Sequence, residues 1–288
     1  MKKYLLTATA LVLMSSNAWA DCAADEAVGK KGECVKKSGA CGTDCVYDYD
    51  ESTKTMTFRG TGENGAGEVD GRILADYYLN SALSKLDFDN LIVAEGITKV
   101  SGVAFQPALV GGSGQGKLVL PATLKEMGFE ASFVMNFATV EINSTDLSFD
   151  EKSFRFSRNG PVEIIMPASD KIIFGENSGM NIAPENLTIT CRGEIDICQQ
   201  SFGNALSEMD SSKITYNGYQ KNPDGSMSLY QNNKLIATYA TDAKDGSVYT
   251  YNPDGELISI RGKKIYTVEE AEAVTAHGDK FHVSLTYK

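Results

Sequence analysis

Leu118-Val-Leu-Pro-Ala-Thr-Leu-Lys-Glu-Met-Gly-Phe-Glu-Ala-Ser-Phe133 opens on an apolar phrase, Leu118-Val-Leu120, that the chain uses six times. The other copies are Leu91-Ile-Val93, Val140-Glu-Ile142, Ile164-Ile-Met166, Leu187-Thr-Ile189 and Ile214-Thr-Tyr216, so the first residues stand 27, 22, 24, 23 and 27 positions apart. A repeat in the twenties is the period of a leucine-rich solenoid. Each copy is a short strand with too few apolar side chains to fold alone, so successive copies must bury one another's edges. The expected fold class is therefore mainly β, with a leucine-rich-repeat-like solenoid over residues 87–216. Ala104-Phe105, Ser153-Phe154 and Ser201-Phe202 stand where such units close on a buried ring.

Working outward, Val46-Tyr-Asp-Tyr49 and Met56-Thr-Phe58 flank a polar loop and read as a hairpin. Gly60, Gly62, Gly65 and Gly67 then interrupt any regular element, and Ile73 to Leu86 resumes with helical apolar spacing. Hairpin and helix read as an N-terminal cap within a disulfide-clipped segment, 21–86. Beyond the repeats, 217–288 reads as an antiparallel β-meander. Asn222-Pro-Asp-Gly225, Lys244-Asp-Gly246 and Asn252-Pro-Asp-Gly255 are turn signals between aromatic strands. Thr267-Val-Glu-Glu270 opens a short helix to about Ala276, and Phe281, Val283, Leu285 and Tyr287 alternate as a last strand.

Residues 1–20 have the form of a secretory signal peptide. Lys2 and Lys3 precede an apolar stretch, Leu5 to Met14, and Ala18-Trp-Ala20 is a small-residue cleavage pattern. Its removal lowers the 27 basic residues to 25 against 38 acidic ones, and the net charge from −11 to −13. Such a surface repels nucleic acid and anionic lipid and suits a basic partner or plain solubility. Cys22, Cys34, Cys41, Cys45, Cys191 and Cys198 form an even set in an exported chain, which reads as a disulfide framework with 15 arithmetical pairings. Local pairs, Cys22–Cys34, Cys41–Cys45 and Cys191–Cys198, are favoured. No Cys-x-x-Cys supports zinc or thioredoxin-like chemistry.

The stretches Leu118–Phe133 and Leu91–Phe105 resemble the repeat of BspA-type bacterial leucine-rich proteins. Cys41-Gly-Thr-Asp-Cys45, with Thr55-Met-Thr-Phe-Arg-Gly-Thr-Gly62, is similar to the cap that opens such arrays. The resemblance runs from Cys41 to Tyr216, about three-fifths of the chain, and departs from the pattern at Asp170–Phe174 and Ile195–Cys198. It implies a curved, strand-lined binding surface and, in some relatives, adhesion to host matrix proteins. It carries no catalytic residues. The C-terminal part is similar to the tyrosine-rich hairpin repeats of bacterial surface and toxin-associated proteins.

Catalytic constellations are sparse. His277 and His282 lack a bracketing nucleophile motif, and His277 falls where a cation favours a helix C-terminus. Gly111-Gly-Ser-Gly-Gln-Gly116 misses the last glycine of a serine elbow and, with Lys117-Leu118, the hydroxyl of a Walker loop. It reads as a flexible insertion. Asp87/Asp89 and Glu269/Glu270 are carboxylate pairs in an acid-rich chain, and Asp242-Ala-Lys-Asp245 lacks the alternating ligands of a calcium loop. The sequons at Asn143 and Asn186 read as unmodified. Tyr230, Tyr239, Tyr249 and Tyr251 are the candidate binding residues, because a ring with a polar tip suits protein and carbohydrate contacts; cross-strand pairing is their structural alternative. The expectation is an exported, non-enzymatic binding protein without cofactor or metal, periplasmic or extracellular, recognising a protein or glycan. The alternatives are an envelope protein docking by edge-strand pairing and a glycan-processing enzyme.

Overall fold

The computed structural model describes residues 22–71, 85–101, 115–128, 136–150, 153–154, 156, 160–175, 182–206, 209–243, 246–260 and 263–264. The expected leader, most of the helix expected over 73–86, Phe105, Phe133, the helix expected over 267–276, His277, His282 and the last expected strand lie outside them. The described chain is mainly β, with one α-helix, a large mixed sheet and an antiparallel C-terminal part.

At the N-terminus β1 (Glu26–Val28) and β2 (Cys34–Lys36) pair antiparallel as a small separate sheet, clipped by the Cys22–Cys34 disulfide. β3 (Ser38–Thr43) and β4 (Cys45–Asp50) form the next hairpin, closed by Cys41–Cys45. β4 then pairs with β5 (Thr55–Gly60) as the expected hairpin, Tyr47 opposite Phe58 and Tyr49 opposite Met56. A further strand, β6 (Gly67–Asp70), ends the glycine-rich stretch expected to hold no regular element. Its one buried aliphatic side chain, Val69, gives no alternation to read.

From there each unit adds two strands. These are β7 (Asn90–Val93) and β8 (Ile97–Ser101), β9 (Lys117–Leu120) and β10 (Glu126–Met127), β11 (Thr139–Ile142) and β12 (Leu147–Phe149), β13 (Val162–Pro167) and β14 (Ile172–Phe174). β15 (Leu187–Glu194) and β16 (Thr215–Lys221) follow, separated by the helix α1 (Ile195–Phe202). The first strands pair parallel in the order β5, β7, β9, β11, β13, β15, β16. They set Met56, Leu91, Leu118, Val140, Ile164, Ile189 and Tyr216 in one row. Leu187 therefore lies opposite Val162, so the last two apolar phrases slide two residues from their sequence alignment. The hairpin strand β5 is itself the first rung, where the sequence reading had a separate cap.

The second strands make a second parallel ladder, β6, β8, β10, β12, β14, with Val69, Val100, Met127, Phe149 and Phe174 in line. The inward side chains of both ladders belong to one continuous core. Along its second side the core becomes aromatic. Phe174 stacks on Phe149 at 4.4 Å between ring centroids and on Phe202 at 4.3 Å, with Phe154 edge-on at 5.1 Å. Thus Ile172–Phe174, where the family pattern breaks off, is a regular rung, and at Ile195–Cys198 a helix takes the place of the next one.

The Cys191–Cys198 disulfide ties α1 to β15, and Ser201 Oγ donates to the Ser169 carbonyl at 2.8 Å. Changing both cysteines to alanine should cost about 2.5 kcal/mol, the entropy of so short a closed loop. Urea denaturation of the double variant against the parent checks it, and an unchanged midpoint would mean that packing alone holds the helix.

β16 is the hinge of the topology, parallel to β15 on one edge and antiparallel to β17 (Met227–Gln231) on the other. β18 (Lys234–Thr241), β19 (Val248–Tyr251), β20 (Leu257–Ile260) and β21 (Lys263–Lys264) continue the meander. The two Asn-Pro-Asp-Gly turns form with Gly225 at φ 85° and Gly255 at φ 83°, a conformation that glycine takes without strain. A fourth turn, Asn232-Asn233 at φ 51° and 58°, folds back on the ladder: Asn233 Oδ1 accepts the Tyr216 amide at 2.7 Å and its Nδ2 donates to the Ile214 carbonyl at 2.9 Å. It thereby occupies main-chain groups at and just before the start of β16 that would otherwise stay open for another strand.

Candidate binding face

Strand alternation sends every second residue of the first ladder away from the core. Two outward rows result, Thr55, Asn90, Lys117, Thr139, Glu163, Thr188, Thr215 and Thr57, Ile92, Val119, Glu141, Ile165, Thr190, Asn217. Lys117 and Arg192 both reach the Glu141 carboxylate, and Arg192 also donates to Asn143 Oδ1 at 2.7 Å. Thr190 Oγ1 donates to Glu163 Oε1 at 2.7 Å and accepts from Asn217 Nδ2 at 2.9 Å, while Asn217 Oδ1 accepts the Asn232 amide at 2.7 Å. The face is thus cross-linked from β11 to the meander by side chains.

The Lys117 and Arg192 hydrogen bonds hold the Glu141 carboxyl below the usual glutamate range. A carboxyl with a lowered native pKa stabilises the fold above its unfolded value, about 4.3, and loses that contribution as the pH falls through the native value. Glu141→Gln should therefore lower the urea midpoint at about pH 7, and the gap to the parent should narrow at about pH 3. A gap independent of pH would mean that the charge contributes nothing.

The four tyrosines singled out in the sequence do not share a surface. Tyr219 pairs with Leu229 and Met227 with Tyr239, which puts Tyr219 and Tyr239 on one face of the meander, rings 6.0 Å apart. Because Asn217 and Tyr219 are two apart on β16, this face continues the outward rows of the ladder. Tyr219, absent from the sequence-based set, is 38% exposed. Tyr230 lies opposite Gly218 on the other face and packs against the core. Tyr251 shares that other face, since it pairs with Thr238 and Thr238 with Ser228, two residues from Tyr230; Tyr249 precedes it by two on the same strand.

The other candidates divide. Asp87 is paired with Lys54 at 2.8 Å, and the Asp242 amide donates to the Ser247 carbonyl at 2.8 Å, while Lys244 and Asp245 of the expected turn lie outside the described residues. Among the described residues no three His, Cys, Asp or Glu side chains converge where a metal would sit. An open hollow at Lys37, Tyr49, Asp50, Glu51 and Ser52 has its charges engaged within itself: Lys37 pairs with Glu51, and Asp50 accepts from Ser52 and Thr53. Among the described residues no helix is long and apolar enough to cross a membrane. The three disulfides are compatible with an exported protein.

Comparison with known families, characterised proteins and solved structures yields no match. The functional reading stands on the residues of this chain.

Proposed function

We propose that the protein is an exported, non-enzymatic binding protein, a leucine-rich-repeat-like solenoid of the BspA type followed by a β-meander, and that it recognises a protein or glycan partner through its outward strand face. The observation that supports this reading is the continuity of that face. Its outward rows run through seven strands of the first ladder and on to Tyr219 and Tyr239 of the meander. Rows of this kind on a rigid scaffold offer a broad contact surface, and aromatic residues are the side chains enriched at interfaces.

Binding of the mature chain to arrays of extracellular-matrix proteins and cell-surface glycans tests it. The parent should bind at least one component, and Ile92→Glu with Val119→Glu, two partly exposed neighbours on the face, should abolish that signal while the fold persists. Folded material that binds nothing, or a variant that binds as the parent does, would count against it.

A further inference from the structure

We infer that Cys34 is a thiol-exchange site: a small thiol opens the Cys22–Cys34 disulfide, forms a mixed disulfide with Cys34 and thereby loosens the β1–β2 sheet, while Cys41–Cys45 and Cys191–Cys198 stay closed. The inference goes beyond the reading of the outward face and is independent of what that face binds.

Strand alternation sets this disulfide apart from the other two. In the β1–β2 sheet Ala27 lies opposite Val35, and both side chains are buried in the continuous core. Val28 lies opposite Cys34, one position along each strand and therefore on the other side of the sheet. Cys34 is accordingly exposed, and Cys22 is half-buried. Cys41, Cys45, Cys191 and Cys198 are at most 4% exposed and belong to the core. A thiolate must reach a sulfur to displace its partner, so access decides which disulfide exchanges and which of its sulfurs is attacked.

The exchange needs no oxidant beyond the disulfide itself. The attacking thiolate forms a bond to Cys34 Sγ, the bond from Cys34 to Cys22 breaks, and Cys22 leaves as a thiolate that takes a proton from water. A second thiolate that displaces Cys34 completes a two-electron reduction of the cystine, and the two small thiols end as one disulfide.

Opening the clip acts on a sheet with a thin hold. Among the described residues β1 and β2 pair with no other strand, and two strands alone are marginally stable in water. The sheet meets the rest of the chain through Ala27 and Val35, through the Lys30 amide on the Lys85 carbonyl at 2.8 Å and through the Tyr47 hydroxyl on the Lys36 carbonyl at 3.4 Å. Its ion pairs, Lys36 with Asp25 and Glu26, join residues of the same hairpin and are largely exposed, so they tie it to nothing beyond. The two ladders do not run through it.

Incubation of the folded mature chain with reduced glutathione at about pH 8, where part of the thiol is ionised, tests the site. Alkylation with iodoacetamide and peptide mass spectrometry then map the products. A glutathione adduct on Cys34 with an alkylated Cys22 should form at least about tenfold faster than any product at the other four cysteines. Amide exchange in Glu26–Val28 and Cys34–Lys36 should accelerate about tenfold or more in the adduct, and in β9 and β11 by less than about twofold. Cys22→Ser with Cys34→Ser should show the same fast exchange without any thiol; where that variant does not accumulate, the adduct of the parent supplies the measurement. Equal rates at the three disulfides, first reaction at either buried one, or an adduct on Cys22 in place of Cys34 would overturn the inference. So would an adduct on Cys34 that leaves exchange in the sheet unchanged.

Discussion

Phe174→Ala should lower the unfolding free energy by about 3–5 kcal/mol, a large part of the 5–15 kcal/mol that holds a typical domain. Phe174 is 5% exposed and sits mid-column, stacked on Phe149 and Phe202 and met edge-on by Phe154. Truncation removes the transfer energy of the ring, leaves a cavity between side chains fixed by two neighbouring rungs, and breaks three aromatic contacts of about 0.5–1.5 kcal/mol each. The effect should be local before it is global, because Phe202 belongs to α1 and loses its stacking partner. Amide exchange in Ile195–Phe202 should therefore accelerate in the variant more than exchange in β9 and β11. Phe174→Leu, which refills part of the space, should recover most of the loss. Urea denaturation followed by far-ultraviolet circular dichroism measures the first quantity. A cost below about 1 kcal/mol would mean that the neighbouring rings collapse into the gap and that the column carries little of the stability.

The two ladders differ in how far the sequence reveals them. From β5 to β15 the strands of the first carry at least two inward apolar residues in alternation, as in Leu118-Val-Leu120, and stand out as phrases. Those of the second are less regular: Glu126–Met127 buries one side chain, Ile97 and Val100 are spaced by three, and the alternation in Leu147–Phe149 and Ile172–Phe174 spans only three residues. Their alignment comes from pairing with neighbouring units, which no local pattern encodes. The C-terminal turns were legible where Pro and Gly impose the backbone, whereas Asn232-Asn233 takes the same left-handed conformation with less distinctive residues.

The candidate face was legible only in part for a related reason. That Tyr249 and Tyr251 share a face follows from their spacing, but placing Tyr239 needs the register of three strands and the irregularity at Leu229/Tyr230. Tyr219 gave no signal, standing between Gly218 and Gln220 on a strand whose apolar alternation stops at Tyr216. The ion pairs of Glu141 join residues on three separate strands and were likewise invisible.

Gly116→Ala should be at least as damaging as the loss of Phe174, above about 4 kcal/mol, although the glycine-rich run that it ends reads as flexible. A β-carbon at Gly116 would stand 1.6 Å from the Asp89 carbonyl oxygen, so one main chain or the other must move by more than an atomic radius. Neither is free to do so. The Asp89 amide donates to the Lys54 carbonyl at 2.9 Å, the Gly116 carbonyl accepts the Ala138 amide at 2.8 Å, and the Lys117 amide is held by Asn90 Oδ1 at 3.1 Å. The contact is where β9 enters the ladder beside β7, and yielding there would pull Leu118 out of line with Leu91. Gly225→Ala is the control that separates the two uses of glycine. Its β-carbon meets nothing within 4 Å, so only the cost of a left-handed backbone at φ 85° remains, about 1–2 kcal/mol. Denaturation midpoints of the two variants, or the yield of folded protein where Gly116→Ala fails to accumulate, decide the matter. Equal and mild losses would show that the main chains at Asp89 and Gly116 part readily, and that the first ladder tolerates a displaced rung.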